Sequence, residues 1–188
     1  MNVFHNLLAN NLIASITNFT VWFAVTFWVF LETQSVFATG LIAGIYLVLT
    51  GGLGFWFGSL VDHHRKKLVM MASSAASFAL YAAGLVVCLV IPEAALTQIA
   101  AAPLWIFIAI VMLGVIAGNV RNIALPTVVT MLVPEDRRDK ANGLVGMATG
   151  IGFLTTSAIS GFLVAWGGMI ATLALALALS ALAFAHLL

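Results

Sequence analysis

Charge is what this sequence has least of. Of its 188 residues only 7% are Asp, Glu, Lys or Arg, while 63% are hydrophobic. A soluble domain carries about 25% charged residues. So few charges cannot clothe the chain in a solvated surface, and its apolar exterior needs lipid. The formal net charge of +1 comes with no basic patch suited to nucleic acid. The single cysteine, Cys88, lies in an apolar run and excludes an internal disulfide. His63 and His64 are adjacent but have no further His or Cys at ligand spacing, so neither a metal site nor a cofactor is expected. Carboxylates are missing from the middle of the apolar runs, since Glu32 and Glu93 fall in connections. That absence removes the converging acids an intramembrane enzyme would need and also an in-span proton carrier, so the chain is expected not to be an enzyme. The start, Met1 to His5, lacks the basic segment of a signal peptide, and the first apolar stretch is expected to stay as a helix.

What the sequence has is long apolar runs, and a spanning helix needs about 20 such residues. Six are readable: Leu7 to Leu31, Ser35 to Val61, Leu68 to Ile91, Pro103 to about Val133 with Pro126 as a bend, Ala141 to Trp166, and Gly168 to Leu188. The seven Lys and Arg are distributed unevenly among them. Arg65, Lys66 and Lys67 follow the second run; Arg121 is near the end of the fourth; Arg137, Arg138 and Lys140 follow it. The remaining connections carry no basic residue. Because basic loops stay in the cytoplasm, the second and fourth connections and both termini are expected there. The expectation is an all-α, multi-pass bundle of six transmembrane helices in the cell inner (plasma) membrane, in contact with the lipid bilayer.

Small residues recur at four-residue spacing: Gly40 and Gly44, Gly54 and Gly58, Gly114 and Gly118, Gly146 and Gly150, Ser157 and Gly161. Such pairs let helices approach closely in lipid; the alternative use is a smooth face along which helices slide. The first run is the most polar. Asn11, Ser15 and Asn18 share one face at i, i+4, i+7 spacing, and Trp22 adds aromatic surface nearby. That face either lines a substrate path or bonds neighbouring helices. The segment Pro134 to Lys140 reads as a short interfacial turn with an Asp136–Lys140 pair.

The second run ends in Gly58-Ser59-Leu60-Val61-Asp62-His63-His64-Arg65-Lys66-Lys67. This resembles the signature loop of the major facilitator superfamily (MFS), Gly-x-Leu-Ala-Asp-Arg-x-Gly-Arg-Arg, between its second and third helices. Gly58, Leu60 and Asp62 match, and Lys66 and Lys67 keep the basic pair. Val61 replaces the Ala, His63 stands at a usually basic position, and Arg65 at the common glycine. The stretch from Arg121 to Leu144, with Pro126, Pro134 and Asn142-Gly143, is similar to the fourth helix and following loop of the drug and siderophore exporter branch. The resemblance implies half of an MFS fold. Residues 1–91 and 103–188 would be two inverted three-helix repeats joined by an external connection over 92–102. It also implies a gating motif of Gly58, Leu60, Asp62, Lys66, Lys67 and Arg121, in which Asp62 latches the cytoplasmic side and Arg121 lies within its reach.

No basic residue follows the last run, and the chain is expected to be cut short of a second six-helix half. The partners implied are a small-molecule substrate and that missing carboxy-terminal half, or a second copy. The expected function is secondary active transport of a small organic solute by alternating access, with efflux of drug-like compounds. The rival from another class is a half-size membrane scaffold or assembly protein that moves nothing.

Overall fold

The computed structural model describes residues 2–187, with side chains from Phe4 onward. Met1 and Leu188, the outer ends of the expected repeats, lie outside the described residues. The structure is all-helical: α1 (Asn2–Thr33), α2 (Val36–His63), α3 (Lys66–Val90), the short α4 (Glu93–Leu96), α5 (Ala102–Leu132), a 3₁₀ turn (Glu135–Arg137) and α6 (Arg138–Ala185). Five of these helices are long and apolar enough to cross a membrane.

Six were expected, and the difference lies entirely in α6. Its 48 residues would span about 72 Å if straight, far more than the ~30 Å hydrocarbon core. It is not straight. Gly168 has φ 60° and ψ −154°, a non-helical conformation that a side chain would make costly. The two limbs on either side of it both return to α1. A Cβ on Gly152 would lie 3.6 Å from Leu12 and 3.7 Å from Ile16, while Asn10 Nδ2 donates to the Ala183 carbonyl at 2.7 Å. Positions 31 residues apart on α6 therefore meet neighbouring turns of α1.

Local chemistry sets the other ends. α1 stops where Gln34 turns left-handed at φ 51°, and its N–H bonds the Phe30 carbonyl at 2.8 Å. Ser35 then caps α2, its hydroxyl accepting from the Ala38 N–H at 3.1 Å. Pro126 sits inside α5 on its exposed side without ending the helix. The turn after α5 is where it was expected, but its charge pairing differs. Asp136 lies 3.6 Å from the neighbouring Arg137 Nε rather than pairing with Lys140. The 3₁₀ geometry displaces Lys140 from the i+4 position that a continuous helix would supply.

The core is built from α1, α3, α5 and the last limb of α6. Val21, Val25, Val29, Tyr81, Phe107, Val111, Val115 and Leu173 are among its fully enclosed side chains. Small residues matter here, though not all those expected. A Cβ on Gly114 would sit 2.6 Å from the Tyr81 ring, and one on Gly118 2.4 Å from Asn18 Oδ1. Gly84, 2.9 Å from Val111 by the same construction, joins them. By contrast Gly40, Gly44, Gly54, Gly58, Gly146 and Gly150 have nothing within 4 Å. The packing role expected of those three pairs is not met within this chain, because α2 and the first limb of α6 turn these faces outward.

Candidate functional site

Two polar groups stand out, one at the end of α2 and one inside the bundle. At the end of α2, Gly58 and Leu60 are partly exposed, and Asp62, His63, His64, Arg65 and Lys67 are exposed. The last turn of any helix leaves carbonyls without intrahelical partners. Here basic side chains fold back onto them. Lys66 Nζ donates to the Val61 carbonyl and, at 3.3 Å, to that of Asp62. His63 Nδ1 lies 2.8 Å from the Ser59 carbonyl and His64 Nδ1 3.1 Å from that of Leu60, each placed to donate. The cluster is thus a C-terminal cap as well as a charged loop, and positive charge suits this end of the helix dipole. His63 and His64, adjacent in sequence, both belong to that cap.

Arg121 does not join this loop. Only 2% exposed, it is turned into the bundle between α1 and α3. Its Nη1 donates to the Ser74 hydroxyl and, at 3.4 Å, to the Met70 carbonyl; its Nη2 donates to Asn10 Oδ1. The expected contact with Asp62 is absent. The physical reason is depth. Arg121 is eleven residues, about 16 Å, before the end of α5, whereas Asp62 lies in the last turn of α2 at the exposed loop.

The polar face of α1 is also committed inward. Asn18 Nδ2 donates to the Val115 carbonyl at 2.8 Å and to Asn119 Oδ1 at 3.1 Å. Tyr81 donates its hydroxyl proton to Asn18 Oδ1 at 2.7 Å, and Asn119 Nδ2 donates to the Tyr46 hydroxyl at 2.9 Å. Tyr46 stacks on Trp22 with ring centroids 4.0 Å apart. One continuous chain of bonds therefore joins α3, α1, α5 and α2. Asn11 Nδ2 donates to Ser15 at 3.4 Å, and Ser15 donates to Asn122 Oδ1 at 3.2 Å. Of the four residues expected along a substrate path, Asn11, Ser15 and Asn18 are buried and Trp22 is half-buried. Of the two uses the sequence allowed, interhelical bonding is the one these contacts display; the exposed Asn122 is where the Ser15 group reaches a surface.

Sequence reasoning missed Tyr46, Tyr81, Ser74 and Asn119. A signal existed, because Tyr46 and Tyr81 are the only tyrosines in the chain and both lie inside apolar runs. A phenol in lipid needs a hydrogen-bond partner. Among the described residues no group of three or more His, Cys, Asp or Glu is placed to hold a metal ion.

Long apolar helices joined by short turns, with buried polar groups bonded between them, define a multi-pass membrane protein in contact with lipid. Residues 7–188 match the family described as the Major Facilitator Superfamily, and the chain belongs to it. Members of that family are transporters rather than enzymes. No curated protein and no solved structure matches the chain.

Proposed function

We propose that this chain is one six-span half of a secondary transporter that moves a small organic solute by alternating access, with drug-like compounds exported. The family match over residues 7–188 carries the transport reading. The reversal of α6 at Gly168 supports a sixth crossing. On that reading residues 1–91 and 103–188 are two inverted repeats, joined over 92–102, with both termini in the cytoplasm of an inner-membrane protein. The direction of transport rests on the resemblance of the Arg121–Leu144 stretch to exporters.

The open glycine faces of α2 and of the first limb of α6 support a second half, or a second copy, packed against them. A cavity for an organic solute would lie between the halves, bordered here by the Asn11–Ser15–Asn122 group and Trp22. Asp62 would then be the cytoplasmic latch, set by Gly58 and Leu60 on one side and by the Lys66 cap and Lys67 on the other. Its cation would come from the opposing half, because Arg121 is held elsewhere.

The test is transport by the native gene product in energised inverted vesicles, using a panel of lipophilic drug-like compounds. Protein-dependent accumulation that falls at least about tenfold in Asp62→Asn supports both efflux and latch. Saturable import without export overturns the direction. Movement of no solute favours the scaffold. Intact mass adds an independent check on the second half, since a value near 19.8 kDa would require a dimer instead.

A further inference from the structure

The helices α2 and α3 are neighbours in sequence but barely touch, and each leans on α5 instead. An open groove runs between them, starting at the loop that joins them. Trp56 and Leu60 of α2 and Leu68 of α3 wall it, and Ala72, Ala76 and Ala117 keep its floor low. Leu68, Ala72 and Ala76 recur every four residues, so this apolar strip follows α3 for about 12 Å. Ser73, a hydroxyl in the lining, is engaged with the Ala117 carbonyl at 2.7 Å. Water needs two to four polar partners to stay in such a place, and the groove does not offer them. In a bilayer its natural filling is hydrocarbon.

The loop end of the groove is positive. His64 lines it, and Arg65 and Lys67 follow, both exposed. Lys66 is engaged with the carbonyls that end α2. The Arg65 guanidinium, by contrast, makes no hydrogen bond or ion pair among the described residues. Asp62, the carboxylate of this loop, is two residues past Leu60 and so lies on the opposite side of α2. Gly58 and Gly44 fall on that far side too, so the groove is separate from the face read above as meeting a second half. An apolar channel that ends beneath an uncompensated cation fits the two ends of one molecule. Basic sites between spanning helices at the membrane surface suit anionic headgroups.

We propose that the groove between α2 and α3 is a binding site for an anionic phospholipid. One acyl chain lies against Leu68, Ala72 and Ala76, and the phosphate faces Arg65. The lipid fills the gap that the two helices leave and steadies the loop between them. The site depends on residence in a bilayer and not on transport.

The experiment is a thermal-stability titration of the purified native gene product in neutral detergent. Phosphatidylglycerol is compared with phosphatidylcholine of the same acyl chains, and with glycerol phosphate as the headgroup alone. Phosphatidylglycerol should raise the melting temperature along a saturating curve and at lower concentration than phosphatidylcholine, while glycerol phosphate should do nothing. Arg65→Gln should raise the half-saturating phosphatidylglycerol concentration about 5-fold, the worth of one basic residue at an anionic surface. Arg137→Gln, in the other basic loop, should leave that concentration unchanged. Ala76→Leu should fill the floor and weaken both lipids. Phosphatidylglycerol with a photoactivatable acyl chain should cross-link within residues 56–76. Equal potency of the two lipids overturns the proposal, as does an equal loss in Arg65→Gln and Arg137→Gln, which would mean a diffuse attraction. A response to glycerol phosphate overturns it in favour of a free phosphate. If Ala76→Leu fails to fold, the Arg65→Gln titration and the cross-linked segment decide.

Discussion

The helices α2 and α5 are both strongly apolar and nearly equal in length, yet they lead opposite lives. In the most apolar window of α5, 56% of residues are buried inside the chain; in that of α2 only 11% are. Both carry glycines four residues apart. On α5 those glycines are filled by a neighbour, Gly114 by the Tyr81 ring and Gly118 by the Asn18 amide. On α2, Gly40, Gly44 and Gly54 meet nothing. The same spacing therefore marks a finished interface on one helix and an unoccupied face on the other. In lipid, where no hydrophobic force draws helices together, close fit and hydrogen bonds hold an interface. α5 has both, with Asn119 and Arg121 bonded across to α1, α2 and α3. α2 is tied down by Tyr46, through its bond to Asn119 and its stack on Trp22, and by the buried Ala38, Ile42, Phe57 and Val61.

The sharpest way to break this comparison is to make one substitution on both helices. Gly118→Ala would force a Cβ to 2.4 Å from Asn18 Oδ1 and push that side chain out of its network. It should destabilise the protein by about 1–3 kcal/mol, as overpacking does, measured by denaturant titration in mixed micelles. Gly44→Ala should change sign and stabilise the chain by about 0.8–1 kcal/mol, because alanine is the better helix former and nothing opposes it. Destabilisation at Gly44 would mean that a partner already covers α2. Tyr81→Phe keeps the ring against Gly114 but removes the donor to Asn18. A loss of about 0.6 kcal/mol is expected, the usual worth of an interhelical bond in a membrane. The smallest effect belongs to the exposed Asp136–Arg137 pair, where Asp136→Ala should move stability by less than about 0.5 kcal/mol. A larger change there would show that the 3₁₀ turn is held by more than its backbone.

Much of the fold could be read in advance, because run length against bilayer thickness is a strong constraint. Each helix boundary of the first four runs falls within about five residues of its expected place, as hydrophobic patterning allows. The last two runs follow one another without a loop, meeting at the non-helical Gly168, and the glycine pair Gly167-Gly168 is the only punctuation between them in the sequence. The site was harder. The loop residues of the motif could be located because they are polar in sequence. The direction in which Arg121, Asn18 and Tyr81 point could not, since a helix wheel assigns residues to faces without saying which neighbour each face meets.

The sequence by itself determined that this protein lives in lipid, that its helices are long, and that its charges other than Arg121 fall near their ends. Those properties follow from the cost of exposing apolar surface to water, or charge to hydrocarbon, and that cost depends on residue type rather than partner. Only the tertiary structure decided which glycines are filled, that Arg121 answers to Asn10 and Ser74 instead of Asp62, and that one chain of amides and phenols crosses four helices. Those are pairings between residues distant in sequence, and hydrogen bonds and close packing are made with a particular neighbour at a particular distance.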